Sequence, residues 1–143
     1  MIAYADTGFL VSLYGQDDHS ATATALVKSR PVLILTPLGE AEFTNAIELR
    51  VFRNEWTRRE ARFVHEHFLQ HQAAGVFRME SLSSEAWEKA LILSRRYSAK
   101  LGTRTLDLLH VAAALVLKPE VFYTFDMRQH KLARAERLRV LPA

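Results

Sequence analysis

Val121-Phe122-Tyr123-Thr124-Phe125-Asp126 runs five β-prone residues into an aspartate, and Met127 to Arg137 then continues in a helical pattern. The chain opens in the same way: Ile2-Ala3-Tyr4-Ala5 reads as a strand, Asp6 follows it, and Thr7 to Tyr14 reads as a short helix. Aromatic and β-branched residues suit a pleated, half-buried surface, while Asp ends a strand and caps the helix behind it. Between these two segments the alternation continues. Ser20 to Ser29 reads as a helix and Val32 to Leu35 as a β-rich run. Thr36-Pro37 then starts a helix, with Thr as the cap and Pro at the first helical position. Leu38 to Phe52 and Arg58 to Gln72 carry helical patterns, and Val76 to Met79 forms a short strand. Ser83 to Ala99 is expected as one helix with Ala86, Trp87, Ala90, Leu91 and Leu93 toward one side. Thr105 to Leu117 is a helix apolar nearly all round, and Leu138 to Leu141 a last strand. Strands separated by helices imply an α/β fold, a parallel sheet with helices on both faces. Sites in such folds lie beyond the carboxyl ends of the strands.

The 143 residues fit one domain, 1–143, with one sizeable core. Hydrophobic residues at 49% and charged residues at 24% suit a folded chain rather than a disordered one. The net charge of +3 and the pI near 9.4 are compatible with a polyanionic partner without requiring one. The absence of cysteine excludes disulfides, thiolate nucleophiles and cysteine-based zinc sites. The amino terminus has no basic segment followed by a long apolar stretch, so it does not read as a signal peptide. The most apolar helix, Leu106 to Leu117, is interrupted by Asp107 and His110 and is too short for a bilayer. A cytoplasmic protein is the expectation.

Asp6 and Asp126 each follow a strand, which places both near the carboxyl edge of the sheet. Each also reads as an ordinary helix cap, and the two roles are compatible, because a capping carboxylate keeps a second oxygen. Asp107 stands on a helix whose other faces carry Leu108, Leu109, Ala112, Ala113 and Val116. A helix apolar all round is normally buried, and a carboxylate there costs several kcal/mol unless it is paired, hydrogen-bonded or metal-bound. Arg104, three residues earlier, is the local candidate for such a pair. His110 lies one turn after Asp107 and reads as a hydrogen-bonded core residue or a support for a neighbouring ligand. The fourth acid is Glu40 or Glu42, which point to nearly opposite sides of their helix; both stripes are partly apolar, so periodicity does not choose between them. Four carboxylates meeting at one sheet edge would repel, and hard divalent cations such as Mg²⁺ or Mn²⁺ remove that conflict. Such ions can activate water and stabilise charge on a scissile phosphate, so the pattern suits phosphodiester hydrolysis.

These segments also carry a resemblance. Tyr4-Ala5-Asp6-Thr7-Gly8-Phe9-Leu10, Thr36-Pro37-Leu38-Gly39-Glu40-Ala41-Glu42-Phe43-Thr44-Asn45-Ala46-Ile47, Arg104-Thr105-Leu106-Asp107-Leu108-Leu109-His110-Val111 and Tyr123-Thr124-Phe125-Asp126-Met127-Arg128-Gln129 resemble the acidic motifs of PIN domains, and most closely those of VapC-type toxins. The resemblance covers essentially the whole chain, in order. It implies a three-layer α/β/α sandwich and a Mg²⁺- or Mn²⁺-dependent endoribonuclease that leaves 5′-phosphate and 3′-hydroxyl ends. It favours Glu42 over Glu40 and makes Asp6, Glu42, Asp107 and Asp126 the metal-binding, catalytic carboxylates. Thr124 and Asn45 would support them. It further implies a homodimer and a small antitoxin partner.

Arg104, Arg128 and Lys131 lie near these acids in sequence and are candidates for RNA phosphates, with solvated surface charge as the plainer reading. Arg58, Arg59 and Arg62 read as a solvated face. The helices between about residues 38 and 72 are expected to offer the dimer or antitoxin surface, with Trp56, Phe63, Val64 and Phe68 as surplus apolar area.

Three rivals fit less well. A response-regulator receiver needs an acidic pair after the first strand, and only Asp6 stands there. An Asp-x-Asp phosphatase is excluded by Thr7-Gly8 after Asp6. A catalytically inactive PIN-like module that only binds RNA or protein remains the alternative, although no expected acid is missing.

Overall fold

The computed structural model describes residues 1–143. Five strands form one all-parallel sheet: β1 (Ile2–Ala5), β2 (Val32–Leu35), β3 (Phe77–Met79), β4 (Val121–Tyr123) and β5 (Val140–Leu141), in the order β3-β2-β1-β4-β5. The helices between them are α1 (Thr7–Tyr14), α2 (Ser20–Leu26), α3 (Pro37–Phe52), α4 (Arg58–Ala73), α5 (Ser84–Leu93), the single turn α6 (Ala99–Leu101), α7 (Thr105–Leu117) and α8 (Met127–Ala135).

The period of two along each strand divides the core into two layers. Ala3, Ala5, Leu33, Leu35, Val121 and Tyr123 face Phe9, Leu10, Phe43, Ile47, Val64 and Phe68 of α1, α3 and α4. Tyr4, Ile34 and Phe122 point the other way, onto Leu93, Leu108, Leu109, Val111 and Leu132 of α5, α7 and α8. The expected α/β/α sandwich is therefore present. Its strands are the short apolar runs read from the sequence because both faces of a parallel sheet are covered.

Several boundaries differ from expectation. The helix expected over Ser83 to Ala99 is capped by Ser83 but gives way to a π-helical turn at Ser94–Ser98 before α6. Gly102, at φ 63°, then ends this run in the left-handed region that suits glycine. The helix expected over Ser20 to Ser29 ends at Leu26, and the strand expected over Val121 to Phe125 ends at Tyr123. Phe125 leaves the sheet to stack between Phe9 and His19, at ring separations of 5.3 and 4.3 Å. The last helix stops at Ala135, and Val140–Leu141 is all that pairs of the final strand.

The surface expected on α3 and α4 needs correction as well. Val64 and Phe68 are buried in the chain's own core, and Trp56 lies half-buried over Gly15; Phe52, Phe63 and Leu69 are the apolar side chains left exposed there. A Cβ on Gly15 would come within 2.5 Å of the Trp56 ring and 2.9 Å of the Val11 carbonyl. Gly15→Ala is therefore expected to destabilise the fold by roughly 1–3 kcal/mol, an overpacking cost. Urea unfolding checks this, and an unchanged midpoint would show that Trp56 simply moves aside.

Candidate active site

The sheet order reverses direction of travel at β1, whose neighbours β2 and β4 lead into different parts of the chain, and a crevice opens beyond their carboxyl ends. A cavity of about 270 Å³ lies there, lined by Asp6, Thr7, Glu42, Arg104, Asp107, His110, Asp126 and Gln129 among others. All four acids favoured from the motifs meet in it, each delivered by a different segment. A larger opening of about 630 Å³, between α1, α2 and α4, is lined by no carboxylate and offers none of this chemistry.

Each acid is held by donors of the protein. Asp6 caps α1, accepting the Phe9 N–H at 2.8 Å on Oδ1, while its Oδ2 accepts the Thr124 hydroxyl at 2.5 Å. Asp126 caps α8 through the N–H groups of Arg128 and Gln129, at 2.8 and 3.2 Å. Thr124 links the two, because its Oγ1 also accepts the Asp126 N–H at 3.0 Å. Both aspartates thus cap a helix and line the cavity at the same time. Asp107 is fully buried at the start of α7. Its Oδ2 accepts the backbone N–H of Arg104 at 2.8 Å, and its Oδ1 accepts Gln129 Nε2 at 3.1 Å. The Arg104 guanidinium adds longer contacts to Asp107, at 3.3 and 3.4 Å, and one to Asp126 at 3.4 Å.

Glu42 projects into the cavity, whereas Glu40 turns away and accepts Gln72 Nε2 at 2.8 Å, which resolves the choice that periodicity left open. Glu42 Oε1 accepts the Thr7 hydroxyl at 2.9 Å and His110 Nε2 at 2.5 Å. A carboxylate only accepts, so Nε2 carries a proton, and Nδ1 of the neutral ring receives the Tyr4 hydroxyl at 2.7 Å. Burial holds that hydroxyl well above the ordinary tyrosine range, so it stays a donor. Tyr4, His110 and Thr7 thereby fix the rotamer of Glu42.

Three residues named from sequence stand apart from the cluster, among them Lys131, which is exposed on α8 and does not line the cavity. Asn45 is exposed on α3 and does not line the cavity, because it lies almost a full turn beyond Glu42 on the solvent side. Arg128 is exposed and reaches Asp126 only through its backbone N–H. Gln129 and Tyr4 belong to the site and were missed: the first sits three residues after a capping aspartate on a polar helix, and the second inside an apolar strand, where neither pattern marks a site residue.

Four carboxylates share the cavity with one guanidinium. Burial, opposed by the hydrogen bonds from Thr124 and Phe9, pushes Asp6 up to about 6. Burial would also raise Glu42, but the hydrogen bonds from His110 and Thr7 outweigh it and hold Glu42 below its ordinary value. Gln129 Oε1, beside Asp107, is a buried acceptor with no donor. No three acidic or imidazole groups stand at the spacing of a completed metal site. The donor set nevertheless fits a hard cation: it is all oxygen, over-rich in negative charge, and includes an orphaned acceptor that a cation would satisfy.

Fold and site together define an acid-lined α/β/α domain with its chemistry at the carboxyl edge of a parallel sheet. The chain belongs to the PIN domain family, whose profile matches residues 3–135. Among solved structures it is similar to the Mycobacterium tuberculosis VapC20 toxin, described as cleaving the sarcin–ricin loop, with 21% identity over 90% of this chain and 93% of that one and a TM-score of 0.68. It is also similar to FitAB from Neisseria gonorrhoeae, with 17% identity, 98% and 96% coverage and a TM-score of 0.71. A third similar structure is VapBC2 from Rickettsia felis bound to promoter DNA, with 15% identity, 98% and 97% coverage and a TM-score of 0.65. At these identities the likeness shows the fold. No curated protein matches the chain in sequence. No helix is long and apolar enough to cross a membrane.

Proposed function

We propose that the chain is a divalent-metal-dependent endoribonuclease acting as the VapC-type toxin of a toxin–antitoxin pair. The observation that carries this reading is the convergence of Asp6, Glu42, Asp107 and Asp126, from four segments, on one cavity at the sheet edge. These four would hold Mg²⁺ or Mn²⁺, hard ions that prefer oxygen ligands. When bound, the ion supplies an activated water and stabilises negative charge on the scissile phosphate. The protein's own part is positioning. Thr124 and the Phe9 N–H orient Asp6, Thr7 and His110 orient Glu42, and Gln129 and the Arg104 N–H orient Asp107. The products would carry 5′-phosphate and 3′-hydroxyl ends.

The fold shared with VapC20, described as a toxin cleaving the sarcin–ricin loop, supports the substrate class. The similar structures from Rickettsia felis and Klebsiella pneumoniae, the latter a toxin–antitoxin complex, support a cognate antitoxin. Exposed Phe52, Phe63 and Leu69 on α3 and α4 supply apolar area for that partner or for a homodimer. The test is incubation of the purified chain with total cellular RNA, with Mn²⁺ or Mg²⁺ and with a chelator. Discrete fragments that require the ion, that accept a new 5′-label only after phosphatase treatment, and that ligate through their 3′ ends are expected. Folded, antitoxin-free protein that cuts nothing would leave the binding-only PIN module.

The raised pKa of Asp6 adds a pH dependence. A ligand must lose its proton before it binds a cation, and Asp6 does so near pH 6. Mn²⁺ affinity is therefore expected to fall by up to about tenfold per pH unit as the pH drops below 6. Calorimetric titration at pH 5 and pH 7 measures it, and equal affinities would remove Asp6 from the ligand set.

A further inference from the structure

Arg104 is the only side-chain guanidinium lining the carboxylate cavity, and its placement is unusual for a structural partner. Its side chain is 61% exposed while that of Asp107 is 1% exposed. Its three guanidinium contacts are 3.3, 3.4 and 3.4 Å, longer than the about 2.7–2.9 Å of a well-formed charge-assisted bond. The contact that fixes Asp107 at the start of α7 comes from the Arg104 backbone N–H, at 2.8 Å, and does not depend on the side chain. The guanidinium bridges Asp107 on α7 to Asp126 before α8, two acids on separate elements. It therefore sits loosely across the mouth of the cavity, among four carboxylates that one positive charge does not balance. Gln129 Oε1, in the same cavity, receives nothing from it.

We propose that Arg104 is an exchangeable internal counter-ion: it occupies the carboxylates until a divalent ion displaces it, and the freed guanidinium then binds a phosphate of the RNA. This rests on the nuclease reading for its second half only. A divalent ion offers Asp107 and Asp126 twice the charge of the guanidinium and can also satisfy Gln129 Oε1. Once released, an exposed arginine anchored one residue before α7 stays beside the cavity, and its fork of donors matches two phosphate oxygens.

The experiment compares the wild-type chain with Arg104→Gln in two measurements. The first is calorimetric titration with Mn²⁺ alone, without RNA. The second is the rate at which Mn²⁺-loaded protein cleaves total cellular RNA. Loss of the competing cation is expected to tighten Mn²⁺ binding about three- to tenfold, while cleavage slows by roughly a hundredfold from loss of a phosphate donor. The exposed side chain and the retained backbone cap keep the variant folded. Unchanged or weaker Mn²⁺ binding would overturn the displacement and make Arg104 a plain structural partner of Asp107. Tighter binding with undiminished cleavage would overturn the phosphate role. If the wild-type chain cleaves no RNA, the Mn²⁺ titration still decides the displacement, so a failure of the nuclease reading is told apart from a failure here.

Discussion

Asp6→Asn is expected to make the metal-free protein more stable at pH 7 while abolishing RNA cleavage. Asp6 is 1% exposed, and burial raises its pKa from 3.8 to about 6. In the unfolded chain the carboxyl ionises near its ordinary value, so between pH 3.8 and 6 the unfolded state gives up its proton first. The native state therefore loses stability as the pH rises through that window, and above pH 6 the full penalty remains. A shift of about two units corresponds to roughly 3 kcal/mol. Asparagine removes the charge and keeps the Phe9 N–H bond on its oxygen, while its amide donates to Thr124 Oγ1 in place of the bond Thr124 now donates, which offsets part of the gain. The variant is expected to gain about 1–3 kcal/mol at pH 7 in chelator, several degrees in melting temperature, and little at pH 4. Thermal unfolding at both pH values checks this. A variant less stable at pH 7 would mean that Asp6 is charge-compensated without a metal ion.

Asp107→Asn is expected to behave oppositely in stability and alike in activity. Both oxygens of Asp107 already accept from protein donors, Oδ2 from the Arg104 N–H and Oδ1 from Gln129 Nε2. An asparagine that keeps the Arg104 N–H on its oxygen sets its NH₂ against Gln129 Nε2, and a flip of the Gln129 amide would let Oε1 accept that NH₂ only by leaving Nε2 without an acceptor in a buried place. One unmade buried bond costs roughly 1–3 kcal/mol. Cleavage is expected to fall at least a hundredfold to a thousandfold, the scale of losing a group that organises charge stabilisation at a phosphate. The pair separates two properties that a single acidic cluster would blur: Asp6 is buried against its electrostatic preference, whereas Asp107 is satisfied by donors placed for it.

The parts of this architecture that the sequence discloses are those where local chemistry and tertiary role agree. The runs ending at Asp6 and Asp126 announce both a strand and a carboxylate at its end, because a β-prone stretch, a cap and a sheet edge leave the same mark. Asp107 is legible because a charge on a helix apolar all round demands an explanation. Glu42 is not separable from Glu40 by periodicity, since both stripes are mixed; the α3–α4 packing that leaves Glu40 with Gln72 decides it. Tyr4 and Gln129 are hidden for a related reason. A tyrosine in an apolar strand reads as core, and its hydroxyl meets His110 from 106 residues away. Asn45 lies near Glu42 in sequence, yet one turn further along α3 the helix faces solvent and its side chain stays outside the cavity. The π-helical turn at Ser94–Ser98 leaves no signature in the sequence, because Ser94-Arg95-Arg96-Tyr97-Ser98 holds no Gly or Pro to mark a break in the helix.

The most direct test of the nuclease site is the initial rate of total RNA cleavage in Mn²⁺ by the wild-type chain and by folded Asp107→Asn, side by side at the same concentration. Cleavage by the wild type that drops at least a hundredfold in the variant is the result expected from a carboxylate metal site. Equal rates in the two proteins would show that the cut is made elsewhere, and that the four converging acids are not the active centre.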